Sequence, residues 1–266
     1  MQMEDKVVLV TGGASGLGRG ISLVLAERGA DAAVADIHLE GAERVAEELA
    51  GLGRKSKAFQ VDVTKQTELG QLVADVVAHF GRIDVLVNAA GVIGAPGFED
   101  TTTSREEDWD LTFDVNVKGT AMASDAVAAH MKERRSGKIV NIASHAGRGG
   151  SGGGGAYGAS KAAVIHLTQS FALDLAPYDI NVNVICPGTI WTPMWERIAE
   201  RNKRNQPSLS HLTPREIFEK SIRERCPLGR EQTPEDIGKA AAFLASDDAI
   251  NITGQSLNVN GGSRMN

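Results

Sequence analysis

Short runs of β-branched and apolar residues alternate along the chain with longer segments whose apolar positions recur every three or four residues. That rhythm predicts strands joined by crossover helices, hence a parallel sheet covered on both faces. Strands are predicted at Lys6–Thr11, Asp31–Ala35, Ala58–Val61, Ile83–Asn88, Gly137–Ile142, Ile180–Ile185 and Ser256–Val259. Leu17, Ile21, Val24 and Leu25 mark one intervening helix, and Leu69, Leu72, Val73, Val76, Val77 and Phe80 another. Seven strands and their crossovers use up nearly the whole chain, and no linker or internal repeat breaks it, so residues 1–266 read as one α/β domain.

Helix starts are signalled by hydroxyl caps followed by an acid. Ser104 with Glu107, Thr213 with Glu216 and Thr233 with Asp236 each fit, the last two with a proline at the first helical position. The stretch from Pro193 to Cys226 breaks the rhythm: eight Lys/Arg and five Asp/Glu surround a few apolar residues. Short amphipathic helices outside the sheet are expected there. A lid over a site, at about residues 189–227, is the functional reading.

Composition narrows the function. With 28 Lys plus Arg against 34 Asp plus Glu the formal charge is −6, which disfavours a partner recognised through phosphates, either nucleic acid or anionic membrane. No apolar run approaches the roughly 18 residues of a membrane span, and no leader-like segment opens the chain, so a cytoplasmic location is expected. Cys186 and Cys226 are too few for a disulfide framework or a zinc site; two reduced thiols and no metal are expected. The 30 glycines are about 11% of the chain against roughly 7% in average usage, and they cluster.

One cluster, Gly12, Gly13, Gly16 and Gly18, lies between the first strand and the first helix. Glycines there let the backbone turn sharply and approach a pyrophosphate, whose charge meets the helix N-terminus. A tight βα connection would use the same residues. Asp36 decides in favour of the dinucleotide: it ends the second strand, 18 residues after Gly18, near the ~20-residue offset at which a carboxylate binds an adenosine ribose. That carboxylate would repel a 2′-phosphate, and neither Ser15 nor Ile37 supplies a compensating cation, so NAD is expected over NADP.

A second constellation carries chemistry. Tyr157 and Lys161 are one helical turn apart, which sets an ammonium on the face that carries the phenol, and Ser144 ends a strand 13 residues earlier. A neighbouring cation favours the phenolate, so the pair is expected to exchange a proton near neutral pH.

At this point the sequence resembles the short-chain dehydrogenase/reductase family over essentially its whole length. The resemblance rests on Thr11 to Gly18, Asp62, Asn88-Ala89-Ala90-Gly91, Asn116, Ser144, Tyr157 with Lys161, Pro187-Gly188, Thr253-Gly254-Gln255 and Asn260-Gly261-Gly262. It departs in Ala89, where the family more often has a second asparagine, and in an unusually long glycine run before Tyr157. The resemblance implies a single-domain Rossmann fold, a doubly wound seven-stranded parallel sheet. It implies Tyr157 as general acid/base, Lys161 lowering its pKa and holding the nicotinamide ribose, Ser144 polarising the substrate oxygen, and Asn116 anchoring a water.

It likewise implies a cofactor site made of Gly12, Ser15, Gly16, Leu17, Gly18, Asp36, Ile37, Asp62, Val63, Asn88, Ala89, Gly91, Tyr157, Lys161, Pro187, Gly188, Ile190 and Thr192. Most relatives are tetramers, so a homotetramer is expected. Around the substrate, Ser144, His145, Tyr157, Trp191 and Trp195 are the candidates, with the glycine-rich run Gly149 to Gly155 either opening the pocket or merely turning the chain. The motif set looks most like NAD-dependent dehydrogenases of polyols, diols and cyclic or other secondary alcohols. A 3-oxoacyl thioester reductase is the enzymatic alternative, and a dinucleotide-sensing scaffold the non-enzymatic one.

Overall fold

The strand-forming runs pair in the order β3-β2-β1-β4-β5-β6-β7, all parallel, in the computed structural model, which describes residues 3–150 and 155–265. The strands are β1 (Val7–Thr11), β2 (Asp31–Asp36), β3 (Ser56–Gln60), β4 (Val85–Asn88), β5 (Gly137–Ile142), β6 (Ile180–Pro187) and β7 (Ser256–Val259). Six of the helices are α1 (Gly16–Glu27), α2 (Leu39–Gly51), α3 (Gln66–Phe80), α4 (Glu106–Phe113), α5 (Thr120–Arg134) and α6 (Gly155–Leu175). Then come α7 (Pro193–Asn205), α8 (Pro214–Arg225) and α9 (Pro234–Ala245). The chain is a single-domain, doubly wound sheet of the Rossmann type, and its order reverses between β1 and β4.

Alternate side chains of the central strands feed two cores. Leu9, Leu86 and Ile139 point to the side covered by α3, α5 and α6, where Leu72, Val76, Val127, Met131 and Leu175 join them. Val8, Val10, Val85, Val87 and Val140 point to the other side, against Ile21 and Leu25 of α1 and Ile237 and Ala241 of α9. Strands buried on both faces explain why these runs show no polar alternation. Small residues let α1 and α9 approach closely: a Cβ on Gly20 would lie 2.3 Å from the Pro234 Cβ, and one on Gly238 would lie 2.7 Å from the Val24 Cγ2.

Thr213 and Thr233 cap α8 and α9 as expected, with Glu216 and Asp236 accepting from the cap backbone N–H groups. The start of α4 differs. Arg105 rather than Ser104 is the cap residue, because Asp108 reaches back to the Arg105 N–H at 2.8 Å. The Asp108 carboxylate also accepts from the Ala95 N–H at 2.8 Å, so the helix start is chosen by a tertiary contact.

At the far end of the sheet, Asp84 ties β1, β4 and α5 together. Its carboxylate accepts from the Val7 N–H at 2.9 Å, Arg82 Nε at 2.8 Å and Arg134 Nη2 at 2.8 Å. Burial pushes its pKa up, but hydrogen bonds from Val7, Arg134 and Arg82 outweigh that and hold it below the usual carboxylate range. The contribution is therefore complete above the unfolded value near ~3.9 and lost as pH falls through the lower folded value. Loss of these bonds in Asp84→Asn costs about 2 kcal/mol, which lowers Tm by about 4–8 °C. Thermal melts of both proteins should show that gap near neutral pH and show it closing as the medium is acidified.

Candidate active site

The strand order reverses between β1 and β4, and the glycine turn leaves the carboxyl end of β1 there, against the segment that follows β4. Asp36, at the end of β2, folds its carboxylate under that turn: Oδ2 accepts from the Ala14 N–H at 3.0 Å and Oδ1 from the His38 N–H at 3.0 Å. Each carboxylate oxygen keeps a lone pair for another donor. The first turn of α1 carries no acidic residue and the Ser15 side chain caps nothing, so the helix N-terminus is left open for an anion.

The glycines here have separate jobs. A Cβ on Gly12 would lie 2.5 Å from the Ala90 Cα, and one on Gly18 would lie 2.1 Å from the Gly12 carbonyl oxygen. These two serve the contact between the turn and the segment after β4. Gly16, with φ +51°, faces space bounded by Thr192 at 3.6 Å, and it is the one whose missing side chain leaves room for a ligand. An open helix N-terminus, a half-satisfied carboxylate and a bare Gly16 together fit the pyrophosphate and ribose of a dinucleotide.

Around this crevice, Asp62 binds its own loop through Thr64 N–H at 2.9 Å and Oγ1 at 2.7 Å, and Val63 is packed where a Gly119 Cβ would meet it at 2.8 Å. The Asn88 side chain does not face the crevice. Its Nδ2 donates inward to Ser124 Oγ at 3.0 Å and Asn141 Oδ1 at 2.9 Å, so it ties β4 to α5 and β5, and only its backbone is left to line the adenosine side. Ala89 and Gly91 continue from it, the latter beside Asn116 and Lys161: a Cβ there would lie 3.4 Å from the Lys161 Nζ.

A π-helical turn, Asp114–Gly119, joins α4 to α5 and presents Asn116. Such turns are rare and frequently mark functional sites. The buried Asn116 amide clamps Val92, accepting from its N–H at 2.8 Å and donating to its carbonyl at 2.9 Å, and also donates to Ser160 Oγ at 3.0 Å. The loop after β4 is thereby fixed to α6, the helix that carries Tyr157 and Lys161. Beneath them, Lys161 Nζ donates to the Ile142 carbonyl at 2.9 Å and lies 5.7 Å from the centre of the Tyr157 ring. Ser144, at the end of β5, accepts from the Ala146 N–H at 3.1 Å and hydrogen-bonds the phenol.

The sequence places a proton-exchanging pair here, but the direction of the phenol's shift differs from expectation. Burial pushes Tyr157 up to about 12, against the opposing pull of the Ser144 hydrogen bond. Lys161 is driven down to about 8 by the same burial. Desolvation disfavours phenolate and ammonium alike, and it outweighs their mutual attraction in the protein alone. Next to them, Cys186 in β6 is a buried thiol raised to about 11 by desolvation, and neither cysteine forms a disulfide.

Ser144, His145 and Tyr157 share a cavity of about 650 Å³ with Pro187, Gly188, Ile190, Thr192, Met194 and Trp195. Gly188 is close-packed on a side chain that sequence reading passed over: a Cβ there would lie 2.3 Å from Gln232 Oε1, a buried carbonyl oxygen with no hydrogen-bond partner among the described residues. The excursion that begins at Pro193 borders this cavity. Arg197 pairs with Glu99 and donates to the Ala95 carbonyl at 3.0 Å, Arg204 pairs with Asp100, and Arg201 donates to the Thr101 carbonyl at 2.7 Å with its guanidinium 4.2 Å from the Phe98 ring centre.

Trp191 departs from expectation. Instead of lining the cavity it packs edge-on against Phe218, 5.2 Å between ring centres, with the Arg215 guanidinium 5.3 Å from its ring. The excursion has its own small apolar core, and that core takes Trp191 and one face of Trp195. Of the glycine-rich run, residues 151–154 lie outside the described residues. Gly149 packs against Arg264, where a Cβ would lie 3.2 Å from its Cζ, and the Arg264 Nη2 donates to the Gly150 carbonyl at 2.9 Å. The cavity arginines, Arg201, Arg225 and Arg264, carry no motif in the sequence, and only the folded lid and C-terminus bring them together.

Comparison with known proteins agrees with this geometry. Residues 12–264 match the family model described as enoyl-(acyl carrier protein) reductase. The chain is 38% identical to a 3-oxoacyl-(acyl-carrier-protein) reductase of Thermotoga maritima, over 98% of this chain and 99% of that one. It is also 38% identical to a galactitol 2-dehydrogenase of Agrobacterium fabrum, over 100% of both chains. Among solved structures, a NAD+-bound xylitol dehydrogenase superposes with a TM-score of 0.90 at 34% identity, covering 98% of this chain and 100% of that one.

Proposed function

Because the chain belongs to the short-chain dehydrogenase/reductase family and is an oxidoreductase of it, we propose that it transfers a hydride between NAD and a secondary alcohol or its ketone. The observation that carries this reading is the Tyr157 phenol, hydrogen-bonded to Ser144 on the wall of the cavity and one turn from Lys161. Ser144 orients the substrate oxygen, and Tyr157 takes its proton in oxidation or returns it in reduction. Lys161, buried and anchored on Ile142, supports the phenolate when it forms, and Asn116 holds the loop that keeps both in place and carries the proton path to solvent. Bound NAD supplies the hydride acceptor; the chain provides orientation and proton handling.

The cofactor would lie along Gly16, Asp36, Asp62 with Val63, the backbone of Asn88 to Gly91, and Pro187, Gly188, Ile190 and Thr192. Asp36 supports NAD over NADP, since its carboxylate stands where a 2′-phosphate would need a cation. The likeness to galactitol and xylitol dehydrogenases supports an alcohol substrate. A reductase acting on 3-oxoacyl thioesters is the second reading, supported by the relative from Thermotoga maritima and opposed by Asp36. Assembly as a homotetramer is supported by the exposed Trp109 of α4 and Leu173 of α6, and sedimentation velocity tests it. No helix among the described residues is long and apolar enough to cross a membrane, which is compatible with the cytoplasmic location proposed.

An absorbance screen with NAD against polyols, cyclic and aromatic alcohols and sugars tests the reading directly, and failure of every secondary alcohol to reduce NAD would end it. The raised phenol fixes the pH dependence. Tyr157 is protonated and ready to donate at neutral pH, so ketone reduction is flat there and falls as pH rises toward the folded pKa. Alcohol oxidation runs the opposite way, its kcat/KM climbing across the alkaline range. Rate profiles in both directions check this; an oxidation rate independent of pH would contradict it.

A further inference from the structure

Resting on the oxidoreductase reading above, we propose that the substrate is a hydroxy acid, its carboxylate held by Arg225 and Arg264 at the mouth of the cavity. The protein as a whole is acidic, with 34 Asp plus Glu against 28 Lys plus Arg. Its cavity is the reverse: Arg201, Arg225, Arg264 and His145 line it, and no Asp or Glu does among the described residues. Three guanidinium groups bordering one cavity without a carboxylate on its wall make a site of positive potential.

The three arginines are not equivalent. Arg201 belongs to the lid's anchorage, stacked on Phe98 and bonded to the Thr101 carbonyl. Arg264 gives one of its five donors to the Gly150 carbonyl, a bond that holds the guanidinium in place and leaves a fork of donors. Arg225 ends α8, and the contrast with its neighbours is informative. Arg197, Arg204 and Arg215 of the same excursion pair with Glu99, Asp100 and Glu231, whereas Arg223 and Arg225 form no ion pair with a carboxylate among the described residues, and of those two only Arg225 lines the cavity. Arg225 and Arg264 act on the same group from separate parts of the fold, the end of α8 and the segment after β7. All three line one cavity, and after burial the two guanidinium charges hold the His145 imidazole below its usual pKa.

Planar guanidinium forks match a carboxylate in shape and charge. A neutral polyol in the same cavity leaves two cations unmatched, and a site built around a charged partner rejects the analogue that lacks it. Asn202, Asn205, Gln206 and Ser221 add amides and a hydroxyl to the wall, so further hydroxyl groups on the acid find donors and acceptors there.

Matched pairs differing only in the acid test this without knowing the natural substrate: gluconate against sorbitol, 3-hydroxybutyrate against butane-1,3-diol, and mandelate against 1-phenylethane-1,2-diol. Thermal shift and calorimetry with NADH bound, at constant ionic strength, read binding; initial rates with NAD read turnover. The expected result is an acid bound at least about tenfold more tightly than its neutral partner, with about 10–100-fold of that affinity lost in Arg225→Gln and in Arg264→Gln, expressed in KM rather than kcat. Arg225→Lys should recover part of the loss.

Equal binding of the neutral partners, acid binding unchanged in both variants, or no saturable binding of any acid each overturns the proposal. Glycerol 3-phosphate, bound where no carboxylate binds, overturns it in favour of a phosphate ester. Failure of the oxidoreductase reading shows separately, as loss of NADH binding or as undiminished turnover in Tyr157→Phe.

Discussion

Tyr157→Phe is expected to lower kcat by about 10²–10⁴-fold, the range over which a positioned acid or base contributes, while leaving NADH binding nearly unchanged. The substitution removes only the phenol oxygen, and the half-buried ring keeps its place above Lys161. Ser144 loses its hydrogen-bonding partner but retains the Ala146 N–H, which keeps its hydroxyl near the same position. Fluorescence titration with NADH and steady-state rates separate the two effects. Retention of more than about a tenth of the wild-type kcat contradicts proton transfer by Tyr157, since one factor of ten corresponds to only about 1.4 kcal/mol of barrier.

The second large effect is at Asp36. With NAD bound as proposed, removing its carboxylate in Asp36→Ala would take away charge-assisted hydrogen bonds to the ribose, each of about 1.5–3 kcal/mol, and the repulsion of a 2′-phosphate. The ratio of kcat/KM for NAD to that for NADP is expected to fall by about two orders of magnitude, since each factor of ten needs only about 1.4 kcal/mol. Because Asp36 also supports the glycine turn through the Ala14 N–H, Asp36→Asn serves as the companion variant. It keeps one acceptor, enough for that N–H, and loses the charge together with the acceptor for the His38 N–H. An enzyme that already prefers NADP would refute the assignment before any substitution is made.

Much of the fold was legible because its causes are local and periodic. Strands buried on both faces announce themselves as unbroken apolar runs, and all seven fall within about two residues of their expected ends. The cap at α4 was missed for the opposite reason. Asp108 had to be seen accepting from Ala95, a contact that no local spacing encodes, before Arg105 could be chosen over Ser104.

In the site, Ser144, Tyr157 and Lys161 were legible since one helical turn and one strand end suffice to bring them together. Trp191 was not: whether an aromatic side chain faces the cavity or Phe218 is decided by how α7 and α8 pack, and both faces look alike in sequence. The direction of the Tyr157 shift was equally hidden, because a nearby cation can be read from spacing whereas burial can be read only from the fold. Arg225 and Arg264 escaped for a related reason. They stand in charged or polar stretches that resemble ordinary surface, and they become a pair only once the lid and the C-terminus meet.

The contact between Gly12 and Ala90 has a bearing on how such sequences are read at large. Since the two backbones touch where a Cβ would lie 2.5 Å from the Ala90 Cα, a descendant of this protein that had abandoned nucleotides altogether would still be held to glycine at that position. Its motif would survive the loss of its ligand. Gly16 is held likewise by its φ of +51°, so the diagnostic weight rests with the charge of Asp36, whose loss would be the first visible trace of a change of trade.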